Sequence, residues 1–304
     1  MSSAENQGFS LKQILLPLLL HTKIAMAVKW SVYSILLYNF TVFIQDNLNA
    51  YNNSLAADAK LSDILETFSD TIDTLAWLGL VFLLELETNV LSDELLENWV
   101  GKLLRICRFV CCLLVAYAAY GYTAEALDNF EYTERKDIAT LCDVVENDIA
   151  LQTDSTKFSK ITAENCKALS ASPPYFQIKD KVSLIDGPTL SWIQKIDFID
   201  VVNAFVWLVV IALIEIEIRL QWSEQFGHRL RMVQQAKFYL YGVLWLCVLC
   251  WLLGGYILYG VDAMVWIAGF WAIELNLTQW EQERSEELRV EGLKEEIKET
   301  VRPS

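Results

Sequence analysis

The pattern of hydrophobic and polar positions divides the chain into six apolar stretches separated by polar connections. The stretches cover residues 24–44, 75–86, 109–122, 201–218, 238–259 and 264–277. A bilayer core is about 30 Å thick and takes roughly 20 apolar residues per helix, so the first and fifth stretches are long enough to span it alone. Carboxylates interrupt the second, fourth and sixth stretches before these are long enough to span the bilayer. We expect these stretches to need polar partners in neighbouring helices.

The basic residues near the stretches lie mainly in alternate connections. They are Lys12, Lys23, Lys29, Lys102, Arg105, Arg108, Arg219, Arg229, Arg231 and Lys237. Because cytoplasmic connections are enriched in Lys and Arg, this distribution predicts that both termini are cytoplasmic in a plasma membrane, or in the inner membrane of a bacterium. The alternative is a cleaved signal peptide, with residues 14–20 as its apolar region. Thr22 and Lys23 interrupt that region before a cleavage site, which favours a mature first helix.

A four-position pattern, [DN]-x3-W-x7-E-x-[EN], recurs in the even-numbered stretches. Its members are Asp73, Trp77, Glu85 and Glu87; Asn203, Trp207, Glu215 and Glu217; and Asp262, Trp266, Glu274 and Asn276. The odd-numbered stretches open with a base and an aromatic residue, as in Lys29-Trp30, Arg108-Phe109 and Lys237-Phe238. Trp and Glu are common in this chain, so chance is the alternative explanation. The two patterns together predict an all-α integral membrane protein of six transmembrane helices in three repeated hairpins.

Helix geometry gives this repeat a physical meaning. At 1.5 Å per residue, Asp73 and Glu85 lie only about 18 Å apart, less than the hydrocarbon thickness. If the Asp or Asn is a helix N-cap at the outer surface, the Glu lies at membrane depth. The three Glu residues of the predicted ring (Glu85, Glu215 and Glu274) would then lie level with Lys29, Arg108 and Lys237. Two interpretations remain open: ion pairs that lock helices together, or a polar path for protons, ions or a small solute. A third interpretation is that these charged side chains extend to the interface between lipid and water.

The long connection at residues 123–196 is expected to form a small extracytoplasmic cap. Ile138, Leu141, Val145 and Ile149 recur at helical spacing, which predicts an amphipathic helix over residues 133–151, and a second short helix is expected around Cys166. Cys142 and Cys166 are the only two cysteines in this connection, and an oxidising exterior favours a disulfide between them.

Four segments follow from these assignments. Residues 1–122 hold an amphipathic N-terminus and the first three helices, and 123–196 form the cap. Residues 197–279 hold the last three helices, and 280–304 form an acidic cytoplasmic helical tail. The lipid bilayer is the first expected partner. A second copy of the chain or another membrane subunit is the expected protein partner.

Composition narrows the classes of function. The chain is 54% hydrophobic with a mean hydropathy of +0.30, and 24 basic against 39 acidic side chains give a net charge of −15, which is wrong for binding nucleic acid through its phosphates. Only two His are present, so neither a His-rich metal site nor a catalytic triad is expected, and no cofactor is predicted. Cys247 and Cys250 have no partner motif, and small-residue packing is expected of them rather than metal binding.

Two hypotheses of function follow. The first is an ion or small-solute channel or transport component that uses the ring of intramembrane Glu residues. The absence of Pro from the six stretches argues against a carrier built from broken helices. The alternative is a non-catalytic scaffold or sensor subunit whose cap and tail bind partners. An intramembrane enzyme is the third and least favoured, because no nucleophile and base set is present.

Overall fold

The computed structural model describes residues 11–87, 91, 93–96, 98–147, 149–169, 171–179, 181–221 and 227–270. Clustering of contacts divides the chain into two compact units, Met1–Val243 and Leu244–Ser304. The helices of the first unit are α1 (Leu11–Ser54), α2 (Leu61–Thr67), α3 (Ser69–Glu85), α4 (Asp93–Leu96), α5 (Trp99–Asp128), α6 (Gly187–Gln221) and the beginning of α7 (Gly227–Gly254). Within this unit α3 packs against both α1 and α5, and α5 packs against α6.

Within the part of the chain that the structure describes, three helices are long and apolar enough to cross a membrane, which indicates a membrane protein. They are α5, the part of α6 over Gly187–Ile214 and the part of α7 over Arg231–Gly254; α2 and α3 would add a fourth if that bent pair were one span. Six spans are therefore not supported. Polar residues such as Lys29 and Asn39 interrupt the apolar stretch of α1, and α3 has 17 residues, which at 1.5 Å each is about 25 Å and short of a bilayer core.

The bend between α2 and α3 measures 65°. α2 begins at a capping box, in which the Asp63 carboxylate accepts a hydrogen bond from the backbone N–H of Lys60 at 2.9 Å. α3 starts at Ser69, so Asp73 lies inside the helix and is not its N-cap. Asn203 and Asp262 also lie inside helices, which makes the N-cap interpretation of this repeat position wrong.

Residues 129–186 form a cap that contains a five-stranded mixed sheet. Its strands are β1 (Tyr132–Glu134), β2 (Ala150–Gln152), β3 (Phe158–Lys160), β4 (Tyr175–Ile178) and β5 (Leu184–Asp186), in the order β1-β4-β5-β2-β3. All neighbours are antiparallel except β2 and β5. The expectation of an all-α chain therefore fails in the cap, because short segments that lack helical length pair with one another instead.

The amphipathic helix predicted over residues 133–151 is also absent. A 3-10 helix covers only Leu141–Asn147, and the ends of the predicted segment form β1 and β2. The apolar positions were nevertheless correctly assigned to a core: Ile138 and Leu141 are buried there, with Val145 and Ile149 packed beside them. Their spacing identified the residues that face inward, whereas pairing with distant strands decided the backbone conformation.

Cys142 and Cys166 are joined by a disulfide, as predicted, with 5.0 Å between their Cα atoms. Cys166 lies in a series of turns over residues 163–168 rather than in the expected second helix. The disulfide connects the 3-10 helix to these turns, and Cys166 is part of the cap's buried cluster with Leu151, Tyr175 and Leu184.

The cap is attached to the helices at one end of the first unit. Asp186 provides the N-cap of α6 through a 3.0 Å hydrogen bond from the backbone N–H of Thr189, and Pro188 occupies the first turn, where no N–H is needed. The backbone N–H of Val182 donates to the carbonyl of Ser54, at the end of α1, over 2.7 Å. The ends of α1, α5 and α6 thus meet the cap.

The second unit contains the end of α7 and the short helix α8 (Ile257–Phe270). Gly255, with φ of +86°, ends α7: its own N–H bonds to the carbonyl of Leu252 and the N–H of Tyr256 bonds to that of Trp251. This is a Schellman arrangement, in which glycine is favoured because it adopts positive φ without strain. The continuous apolar segment predicted over residues 238–259 is therefore broken at Gly255.

Candidate functional site

The C-terminal end of α3 carries two carboxylates that contact two different helices. Glu85 Oε1 accepts a hydrogen bond from Lys29 Nζ of α1, and Glu85 Oε2 accepts one from Tyr33 Oη at 3.2 Å. Lys29 Nζ also lies 5.9 Å from the centroid of the Tyr33 ring. Both oxygens of Glu85 are thus engaged by one turn of α1.

Glu87 contacts the opposite neighbour of α3. Its Oε2 accepts a hydrogen bond from Arg108 Nη2 of α5. Residues two apart on a helix point about 200° away from each other, which explains how Glu85 meets α1 while Glu87 meets α5. Leu86 and Glu87 continue α3 as a wider π-type turn. The end of α3 is therefore held between its two neighbours by two ion pairs, which we call the α3 clamp (Lys29, Tyr33, Glu85, Glu87 and Arg108).

The clamp only partly follows the predicted ring. Lys29 and Glu85 belong to one predicted hairpin, and the structure brings them together. Arg108 contacts Glu87 of α3, so its pair connects two predicted hairpins instead of lying within one. Lys237 is buried in α7, while the side chain of Glu215 and the whole of Glu274 lie outside the described residues, as does the tail at 280–304. Helix periodicity could have indicated Glu87, since it occupies the last position of the same repeat.

The tryptophans of the first two repeats form a contact in the helical core. Trp77 of α3 and Trp207 of α6 are each only 6% exposed, and their rings meet edge to face with 5.5 Å between centroids. Trp207 also lies 6.5 Å from the ring of Tyr241 in α7. Such aromatic pairs stabilise packing beyond their buried area. Trp266, in the second unit, is half-buried on α8.

A buried polar contact that no sequence pattern predicts joins α5 to α6 next to the cap. Asn129 Nδ2 donates to Asp197 Oδ2 over 2.6 Å, and Gln194 Nε2 donates to the carbonyl of Asn129 over 2.8 Å. Asn129 is 1% exposed and Asp197 5%. Lys181 of the cap contacts Glu125 of α5 at 3.4 Å close by. No spacing rule connects these positions, because they meet only through the tertiary fold.

Among the described residues, no three or more His, Cys, Asp or Glu side chains come together in a way that could hold a metal ion. Cys247 is buried and Cys250 is exposed on the same helix. The clamp can neutralise charge and fix the positions of α1, α3 and α5.

Comparison with known proteins provides no match: no family model, no curated protein and no solved structure is significantly similar to this chain.

Proposed function

We propose that this chain is a non-catalytic membrane scaffold or sensor subunit, whose helices hold the cap at the extracytoplasmic surface. The observation that carries the proposal is the α3 clamp. Ionisable groups at membrane depth are costly unless they are paired, and here each carboxylate is paired with a cation from a neighbouring helix. With both of its oxygens engaged, Glu85 serves helix packing better than it would serve the coordination of a passing ion.

The positions of the two ends support the proposed orientation. The cap lies at the ends of α1, α5 and α6, while Lys29 lies near the middle of α1 and Arg108 in the first third of α5, both away from the cap. This asymmetry agrees with the enrichment of cations on the cytoplasmic side. A disulfide in the cap also suits an oxidising compartment. We infer cytoplasmic termini in a plasma membrane, or an inner membrane in a bacterium. The partner would be a second copy or another membrane subunit.

Ion or small-solute passage is the second candidate. One observation favours it: the clamp is not sealed, since Lys29 and Glu85 are 37% and 30% exposed and Arg108 and Glu87 are 42% and 37% exposed. Groups at this level of exposure could meet water or ions if a second subunit enclosed them. Under this alternative, Glu85 and Glu87 would exchange their helix partners for a solute.

Flux through liposomes containing the purified chain distinguishes these candidates. The scaffold proposal predicts no proton, Na⁺, K⁺ or chloride flux above that of empty liposomes, and a lower midpoint of thermal unfolding for Glu85→Gln. Glu131→Gln is the matched control, because it neutralises a carboxylate of an exposed ion pair in the cap. Flux that disappears in Glu85→Gln, with an unchanged unfolding midpoint, would refute the scaffold proposal and establish passage.

A further inference from the structure

α5 carries an exposed apolar stripe that repeats every seven residues. Ile106, Leu113, Tyr120 and Leu127 are each more than half exposed. Seven residues complete almost two turns of a helix, so these side chains lie one above the other on a single face. Buried residues of α5 such as Ala118 lie on the other side, where the helix packs against α3 and α6. Since α5 is long and apolar enough to cross a membrane, the stripe is the face that it offers to lipid.

Charged residues of α5 indicate where the hydrocarbon layer begins and ends. Lys102 and Arg105 are exposed near the start of the helix, and Glu125 forms an ion pair with Lys181 of the cap near its end. At 1.5 Å per residue, Arg105 and Glu125 are about 30 Å apart along the helix, which is the thickness of a bilayer core. Ionisable side chains are costly inside that layer, so its limit on the side of the cap lies at Glu125.

The exposed apolar surface continues past this limit into the cap. Leu127 lies about 3 Å beyond Glu125 along α5. Phe130 follows in the turn after the helix and is 63% exposed, and Tyr132, the first residue of β1, is nearly half exposed. The headgroup layer on each side of a bilayer core is about 5–7 Å thick, so these side chains lie at its level. We call them the cap edge (Leu127, Phe130 and Tyr132).

The strand register places Tyr132 on the face of the sheet that is directed toward the helices. Tyr132 pairs with Ile178 of β4, and residues directly opposite each other have their side chains on the same face. Ile178 is buried in a cluster with Leu190 and Ile193 of α6. The ring of Tyr132 also meets that of Phe176 edge to face, with 5.2 Å between centroids. Because β1 is an edge strand, Tyr132 shares this face but extends beyond the part that α6 covers.

α6 changes its surface at the same depth. Asp197 of α6 accepts a hydrogen bond from Asn129, which directly follows α5, so Asp197 lies close to the limit of the hydrocarbon layer. Phe198 and Phe205, further from the cap, are 67% and 50% exposed, as expected of side chains that face lipid. Trp192, on the side of the cap, is 41% exposed, and tryptophan is enriched where lipid meets water. Two helices thus place the limit of the hydrocarbon at the same level.

We propose that the cap edge lies among the phospholipid headgroups of the adjacent leaflet and attaches the cap to the membrane surface. An exposed apolar patch commonly marks an interaction surface, and this one is continuous with the lipid-facing stripe of α5. Apolar rings at this depth contact the upper acyl carbons, while the hydroxyl of Tyr132 stays in contact with water. The inference rests on the membrane location of the proposed function and gives the cap of that scaffold a direct contact with lipid.

Nitroxide labels on single cysteines, in liposomes of phosphatidylcholine, test the depth of the cap edge. The full chain has its five free cysteines replaced by alanine and keeps the disulfide of the cap. Phe130→Cys and Tyr132→Cys carry the labels, and Leu113→Cys is the control within the stripe. Lys136→Cys is the matched control in water, because this cap residue has an 80% exposed side chain. Collisions are measured with oxygen, which dissolves in lipid, and with a nickel complex, which stays in water.

We expect the nickel complex to reach positions 130 and 132 several-fold less often than position 136, and more often than position 113. Oxygen should show the opposite order. Both positions of the cap edge are exposed, so each variant should unfold at the midpoint of the cysteine-free background, which thermal unfolding checks.

Two outcomes would overturn this proposal alone. One is nickel accessibility at positions 130 and 132 equal to that at 136, with position 113 in lipid. The other is exclusion of both reagents together with spin-spin broadening, because a second copy of the chain would then cover the cap edge. A label at position 113 that is open to water would instead refute the membrane location of α5, and with it both this proposal and the proposed function.

Discussion

Replacing Gly121 by Ala should weaken the contact between α5 and the start of α3. Gly121 lies in α5, and a Cβ built on it would be 2.0 Å from Ser69 Oγ and 3.1 Å from Ser69 Cβ. Ser69 is itself 2% exposed, and its Oγ has no hydrogen-bond partner among the described residues. The added methyl group therefore has no space unless the two helices move apart or the serine rotamer changes.

The magnitude follows from two opposing effects. Overpacking of a close contact costs typically about 1–3 kcal/mol, and a separation of 2.0 Å favours the upper part of that range. Ala is a better helix former than Gly by about 1 kcal/mol, which offsets part of the cost. We expect Gly121→Ala to lower the free energy of unfolding by about 1–2 kcal/mol. In a chain of this size that is roughly 2–8 °C in the unfolding midpoint.

Thermal unfolding of the detergent-solubilised chain, followed by circular dichroism, measures this effect. Gly242→Ala is the matched control, because a Cβ there meets nothing within 4 Å and should leave the midpoint equal or higher. In a Ser69→Ala background the Oγ is gone and the 3.1 Å contact alone remains, so Gly121→Ala should cost less there. An equal cost in both backgrounds, or none in the wild type, would refute the steric argument.

The other predictions concern the cap and its junction with the helices. Cys142→Ser removes the disulfide and should cost the cap about 2–4 kcal/mol, measured as faster proteolysis within residues 129–186. Asn129→Ala leaves the buried Asp197 carboxylate without that donor and should lower the unfolding midpoint, whereas Asp197→Asn keeps an acceptor and should cost less. The backbone N–H of Thr140 lowers the pKa of Asp143, so its stabilisation is present above the unfolded pKa of about 3.9 and is lost on acidification below it. Asp143→Asn should flatten that acid limb, followed by circular dichroism from about pH 6 to 3.

Local patterns predicted the helical segments better than they predicted how many of them cross a membrane. The stretches at 109–122 and 201–218 lie within α5 and α6, because long apolar runs of this kind form helices in lipid or in a core. The stretch at 75–86 also lies in a helix, but α3 is short and bends sharply from α2. Hydropathy does not indicate that bend, which falls at Phe68 between the two helices.

The cap shows where periodicity stops being informative. Ile138 and Leu141 were assigned to a core by helical spacing, and they are buried, yet the segment is mainly turns, a 3-10 helix and strands. Residues 132–134 pair with β4, which is distant in sequence, and residues 150–152 pair with nearby β3 and with distant β5, so strand pairing rather than helical periodicity sets their conformation. The disulfide was predictable because it rests on cysteine count and compartment rather than on backbone geometry.

Only one of the two ion pairs of the clamp could be predicted from the sequence. Distance along each helix predicts that Lys29 and Glu85 lie at the same depth in the membrane. Depth does not predict that Arg108 contacts Glu87, because that depends on which helix lies on which side of α3. The contact between Asn129 and Asp197 shows no sequence pattern at all: one residue ends α5, the other lies in α6, and the whole cap separates them along the chain.

Within the first unit, α3 packs between α1 and α5 and contacts α6 through Trp77, while Leu75 and Phe82 on its remaining side are exposed. It is too short to span a bilayer alone, and its neighbours bond to it along its length: Asn47 of α1 accepts from Thr71, and Tyr122 of α5 donates to Asp73. Trp77 contacts α6 in the middle, and the clamp holds the far end. Because α3 is too short to span the bilayer, its polar groups must be paired with neighbouring helices. An unpaired polar group is costly in an apolar environment. Contacts with α1 and α5 thus account for Thr71, Asp73, Glu85 and Glu87 of α3, without requiring that anything pass along it.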